Sequence, residues 1–272
     1  MRPFTARKRA LLVLAVTLAA ALGATGTVGY LTFLRSPVDS PPRACRGAET
    51  SGGPVVVAAG ASMTRGILGA DWVGALRKRD EFGGHRFVNA GVNGNTSADL
   101  LDRLETDVLD CRPDAVIVLV GTNDVRNDVA LDTYRDNLTA IVGRITTVGT
   151  AHVALMSLPP LGEDPDDETN RRLAGYNRVI AETAAGAGID YIPLHERIAE
   201  LVQQPADPSA RYDFGFTLAF AAAAQHYLFG RTWDQVAHSR GSDLFVDRIH
   251  LSDRSGAVVT ELTAHWLATT LR

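Results

Sequence analysis

The feature that most limits how this chain can fold is an alternation of short apolar runs with helical patterns. The runs lie at residues 55–59, 86–89, 115–120, 152–157 and 190–193, and the helical patterns at 72–79, 98–109, 131–148, 168–187 and 252–271. Short apolar runs bounded by turn signals suit strands buried on both faces, as in a parallel sheet. The helical stretches between them supply right-handed crossovers. The expected fold class is therefore α/β, a flavodoxin-like three-layer α/β/α sandwich with a central parallel sheet. At 272 residues the chain suits one large domain with a short extension. Ligands on such sheets bind beyond the carboxyl ends of the strands. Ser62 follows the first run, residues 93–95 follow the second and Asn123 follows the third. One sheet edge is thus expected to collect them.

Composition matters most at the N-terminus, where Arg2, Arg7, Lys8, Arg9 and Arg35 are the only charged residues among the first 35. Residues 10–34 are uncharged, enough to cross a bilayer, and the basic flank before them predicts a cytoplasmic N-terminus. A cleaved signal peptide is the alternative, with 11–22 as its apolar region and 23–27 as a small-residue cleavage zone. Residues 30–34 restore hydrophobicity beyond that zone, which favours an uncleaved anchor. Both readings export the rest of the chain. Residues 36–54, rich in Pro, Gly and Ser, read as a linker, leaving 55–272 as the main domain. The net charge of −4 becomes −9 once the five N-terminal cations are set aside. That balance argues against nucleic acid as a partner.

Cys45 and Cys111 each precede a strand candidate. Parallel strands begin at a common edge, so the two thiols are able to meet opposite the ligand-binding edge. An oxidising compartment would join them as a disulfide; two unpaired thiols are the other reading. Neither has metal-ligand spacing.

Four short motifs carry chemistry-bearing residues. Gly60-Ala61-Ser62 is ordinary turn material by itself, and with Thr64 it does not form the Gly-x-Ser-x-Gly elbow. Asn93-Gly94-Asn95-Thr96 has the composition of a tight turn. Gly121-Thr122-Asn123-Asp124 ends a buried apolar run, and Asp247 and His250 stand three apart just before the last helical pattern. A serine nucleophile needs a base, the base needs a carboxylate, and the oxyanion needs fixed donors. These positions can supply all three. His85, His152, His195, His226, His238 and His265 show no ligand clustering.

The order Ser, Gly, Asn, Asp-x-x-His resembles that of the SGNH hydrolase family, the GDSL esterases and lipases. The resemblance spans residues 60–250 and implies Ser62 as nucleophile, with His250 as base and Asp247 as its orienting carboxylate. It implies an oxyanion hole made by the Ser62 amide, the Gly94 amide and the Asn123 side chain, with no cofactor or metal. The chain departs from the family pattern at Ala61, where Asp is usual. That loss is expected to affect support of the loop more than the chemistry.

An insertion at about 205–244 contains an apolar stretch, 214–229, without Asp, Glu, Lys or Arg. It is short for a membrane span and reads as an acyl-chain pocket wall or as ordinary packing. The expectation is an extracytoplasmic serine ester hydrolase acting on an acyl ester or lipid through an acyl-enzyme. Its partners would be that ester and, through the N-terminal helix, a membrane. Carbohydrate O-deacetylation, O-acyl transfer and a non-catalytic surface module are the alternatives.

Overall fold

The computed structural model describes residues 6–45, 52–149, 151–202 and 215–271. Helix α1 (Ala6–Gly29) runs on through a π-helical turn, Tyr30–Leu34, and is followed by α2 (Pro41–Ala44). Then come β1 (Val55–Gly60), α3 (Ser62–Arg65), α4 (Trp72–Arg77), β2 (Arg86–Gly91), α5 (Ser97–Asp102) and α6 (Leu104–Asp107). Strand β3 (Ala115–Leu119) leads into α7 (Thr122–Arg126) and α8 (Leu131–Val148), and β4 (His152–Met156) into α9 (Glu168–Ala187). The chain continues through β5 (Asp190–Ile192), α10 (Leu194–Ala199), α11 (Phe216–Phe229), α12 (Trp233–His238) and α13 (Asp253–Thr270).

All five apolar runs are strands, each ending within two residues of the expected point. They form one parallel sheet in the order β2-β1-β3-β4-β5, the flavodoxin-like arrangement. Every residue of β1 and β3 is buried, as a sheet covered on both faces requires. Helices α5, α8 and α9 pack as neighbours, as do α4, α13 and α10. The reversal of strand order after β2 puts these two sets on opposite faces.

Register decides where function sits. Gly60 lies level with Gly91 on one side and with Leu119 on the other. The first three strands therefore stop together, and the loops leaving them converge. The stop is tight: a Cβ on Gly60 would overlap the Leu119 carbonyl oxygen and Thr64 Oγ1.

The expected helix over 98–109 is instead two short helices, α5 and α6, parted at Arg103. Arg103 leaves helical geometry there, and its side chain reaches into the strand ends. The described part of the 36–54 stretch lies against the domain rather than standing off it. The Asn89 amide donates to the Asp39 carbonyl at 2.9 Å, capping an edge strand that would otherwise be open. The Asp39 carboxylate also pairs with Arg77. Cys45 and Cys111 are disulfide-bonded, with Cα atoms 4.6 Å apart, at the edge where β3 begins. Residues 46–51 lie outside the described residues, as do 203–214, including Phe214.

The α1 helix and its π-turn form a segment, Ala6–Leu34, long and apolar enough to cross a membrane, and little of it is buried. Its C-terminal end is an exception. Val28 is fully buried with Leu68, Ala219, Ala222, Ala223 and Trp233.

Candidate active site

The turn that carries Asp247 and His250 lies between α12 and α13. It is closed by an antiparallel bridge between Phe245 and Leu251 and by the Val246 amide donating to the His250 carbonyl at 2.8 Å. Arg248, at φ +70°, takes the left-handed conformation that tightens this turn, an uncommon state for a residue with a Cβ. The Asp247 carboxylate accepts the His250 amide at 2.8 Å and the Ile249 amide at 3.2 Å through the same oxygen. His250 Nδ1 lies 2.7 Å from Asp247 Oδ2 and 2.9 Å from Oδ1. Burial pushes the Asp247 carboxyl up, but the facing His250 charge and these hydrogen bonds together hold it below its ordinary value. Asp247 is thus kept as an acceptor-only carboxylate, and Nδ1 must carry the proton.

His250 Nε2, freed to accept, lies 2.8 Å from Ser62 Oγ. Ser62 is the first residue of α3, immediately beyond β1, where a helix leaves its N–H groups without helical partners. The Trp72 indole donates to the Met63 carbonyl at 3.2 Å and the Asn89 side chain to the Thr64 carbonyl at 2.8 Å. Ala61 is buried, and the loop it belongs to is held by these neighbours rather than by a carboxylate at that position.

Gly94 follows β2 in the left-handed region at φ +78°, where a glycine is at home. The next residues start α5 with a capping box: the Thr96 amide donates to Asp99 Oδ2 at 2.8 Å and the Asp99 amide returns to Thr96 Oγ1 at 3.3 Å. Asn123, on α7, is buried. Its Nδ2 donates to the Asn95 carbonyl at 2.9 Å, and its Oδ1 accepts from Arg126 at 3.0 Å. The arginine fixes the amide's orientation, leaving the second Nδ2 hydrogen for another acceptor.

Ser62, Gly94, Asn123 and His250 line one cavity of about 140 Å³. Its apolar side is formed by Phe33, Leu68, Phe216, Ala219 and Ile249. All the expected site residues are therefore brought together except the disulfide, which lies at the other end of the sheet. Phe220, also on α11, packs against the cluster around Val28 and Trp233 and does not line this cavity. Among the described residues, no group of three His, Cys, Asp or Glu side chains is placed to hold a metal ion.

Two supporting residues went unread in the sequence. Arg103 donates to the Gly60 and Ala90 carbonyls at 2.9 Å each and to Asn95 Oδ1 at 2.6 Å, while pairing with Asp107 at 3.0 Å. It thereby ties the ends of β1 and β2 to the Gly94 loop. Asp124, fully buried, accepts the Ser97 amide and hydroxyl and so locks the third motif to the second. Burial raises its carboxyl above the ordinary value, opposed by those bonds. The only signals were a lone arginine following the glycine turn and the acid that ends Gly-Thr-Asn-Asp.

A hydroxyl, an imidazole and a buried carboxylate in series, facing a cavity edged by hydrogen-bond donors, are the elements of nucleophilic acyl transfer. The GDSL-like Lipase/Acylhydrolase family model matches residues 57–254, and the chain belongs to that family. The chain is 32% identical over 127 residues to an uncharacterized lipoprotein, YqeF, of Bacillus subtilis (strain 168), covering 42% of this chain and 52% of that protein. It is 32% identical over 111 residues to an acetylxylan esterase of Geobacillus stearothermophilus, 37% of this chain and 50% of that one. It is 30% identical over 124 residues to esterase TesA of Pseudomonas aeruginosa, 45% and 59% of the two chains. The chain thus spans about half the length of the curated relatives it matches. The crystal structure of Axe2, an acetylxylan esterase from Geobacillus stearothermophilus, superposes with a TM-score of 0.57 at 22% identity, over 78% of this chain and 93% of that one. LAE5, an alpha/beta hydrolase from the metagenome of Lake Arreo, gives 0.58 at 21% identity, over 82% and 98%. These two share the fold.

Proposed function

We propose that the protein is an extracytoplasmic serine ester hydrolase acting on an acyl ester through a covalent acyl-enzyme. The observation that carries this reading is the hydrogen-bonded line from Ser62 through His250 to Asp247, ending at the cavity that Gly94 and Asn123 border. His250 Nε2 takes the Ser62 proton as Oγ attacks the ester carbonyl carbon. Asp247 orients the ring and stabilises the imidazolium. The oxyanion is held by the Ser62 and Gly94 amides and by Asn123 Nδ2. Collapse expels the alcohol, which takes the proton from His250. Water, deprotonated by the same imidazole, then releases the acid.

The acyl group belongs on the apolar side of the cavity, against Phe216 and Ile249. At about 140 Å³ the space is smaller than the ~300–1,000 Å³ of sites that enclose a drug-sized ligand, so it suits a short acyl chain rather than an entire lipid. The apolar N-terminal helix and the relative named as a lipoprotein support an anchored or exported protein.

A second reading, removal of acetyl groups from a carbohydrate, is favoured by the acetylxylan esterase among the relatives. Rates on p-nitrophenyl esters from acetate to octanoate, set beside acetate release from an acetylated xylooligosaccharide, separate the two. A rise in kcat/KM with chain length supports the acyl-ester reading. A maximum at acetate together with release from the sugar supports deacetylation. An acylated sugar formed in place of free acid, when a sugar acceptor is added, would mark a transferase instead of a hydrolase.

A further inference from the structure

The end of the N-terminal helix is not merely a tether. Phe33 in the π-turn stacks on Phe216 of α11, with ring centroids 4.9 Å apart and planes 20° from parallel, and both rings line the cavity that holds Ser62 Oγ. The segment around Phe33 is fastened to the loops of the site. Asn93 Nδ2 donates to the Thr32 carbonyl at 3.3 Å, and Arg65, three residues after the serine, donates to the Arg35 carbonyl at 2.7 Å. The Arg35 guanidinium lies 5.9 Å above the Tyr227 ring, whose hydroxyl donates to the Ile67 carbonyl at 2.5 Å. Thr32 is fully buried. Contacts of this kind place a side chain reproducibly, as the wall of a specific pocket requires.

We infer that Phe33 is a specificity-determining residue, which with Phe216 forms the aromatic wall against which the substrate's acyl chain lies. The wall sits at the end of the membrane-length helix, beyond the 23–27 cleavage zone, so it remains whether or not a signal is removed. The 55–272 domain taken alone would lack Phe33. The inference rests on the proposed ester hydrolysis and goes beyond it by assigning part of the pocket to the N-terminal segment.

The test uses the full chain in phosphatidylcholine nanodiscs, with kcat/KM measured on p-nitrophenyl acetate, butyrate and hexanoate. Burial of each methylene is worth about fourfold while the wall is intact. Phe33→Ala should lower hexanoate turnover by roughly tenfold or more while acetate changes by less than about twofold. Phe33→Leu, still apolar, should keep most of the slope, and Phe33→Trp should move the optimum to shorter chains by filling the space. A uniform loss in all three variants means a structural role and overturns the inference, as does an unchanged chain-length profile in Phe33→Ala. A wild type that hydrolyses none of these esters instead overturns the proposed function itself.

Discussion

Ser62 and Phe33 face the same cavity but reach it by different means. Around Ser62 the groups set for chemistry or its support are held by short polar contacts: His250 to Asp247, Asn123 to Asn95 and Arg126, and Arg103 to Gly60, Ala90, Asn95 and Asp107. Phe33 and Phe216 meet ring to ring, brought from an N-terminal turn and an inserted helix far apart in the sequence. Phe216 is 64% exposed, whereas Asp247 is 2% exposed. The geometry around Ser62 thus depends on directional bonds with little tolerance. The wall depends on apolar area, which several side chains can supply. Substitutions on the two sides should fail in different ways.

The largest effect is expected at the proposed nucleophile and base. Ser62→Ala and His250→Ala should each lower kcat by about 10⁴–10⁶, with the double mutant no worse, because the two act as a unit. Steady-state rates with circular dichroism as a fold control check this, and strictly additive losses would break the unit. Next comes the opposite end of the sheet. Cys45→Ser with Cys111→Ser opens a 66-residue separation and should cost about 4 kcal/mol of stability in denaturant unfolding, with kcat of the folded protein unchanged. A loss of kcat at low denaturant would show that the two ends are not independent.

Asn123→Ala should reduce kcat by about 10²–10³, or ~3–4 kcal/mol, with a smaller change in KM, since its free N–H meets charge only as the tetrahedral intermediate forms. An effect confined to KM would move Asn123 to the substrate-binding side of the comparison. The smallest effect belongs to the wall. Phe216→Ser should flatten the acyl-chain series by severalfold per step, at about 0.8 kcal/mol per methylene, while acetate turnover survives. Equal losses at every chain length would place Phe216 among the groups that support catalysis.

The same contrast explains what the sequence made legible. The five strands and their parallel sheet followed from apolar runs because burial on both faces leaves no room for polar alternation. That Ser62, Gly94, Asn123, Asp247 and His250 come together was readable because each sits in a short motif tied to a strand end or helix start. Arg103 and Asp124 were not, since a single charged residue between or within short helices looks like solvated surface until the backbone and side-chain groups it serves are known. The break of the 98–109 pattern at Arg103 was hidden for the same reason. The packing of residues 36–45 was masked by a composition that reads as a spacer, although Asp39 completes the exposed edge of β2. Phe33 lay inside a stretch whose uniform hydrophobicity gave no sign that its last turn packs against Phe216 and Asn93.

The most direct test of the central claim is labelling of the full chain with a fluorophosphonate, followed by peptide mass mapping. The account predicts one adduct, on Ser62, absent in Ser62→Ala and formed far more slowly in His250→Ala. An adduct on any other residue, or labelling at the wild-type rate without His250, would contradict it.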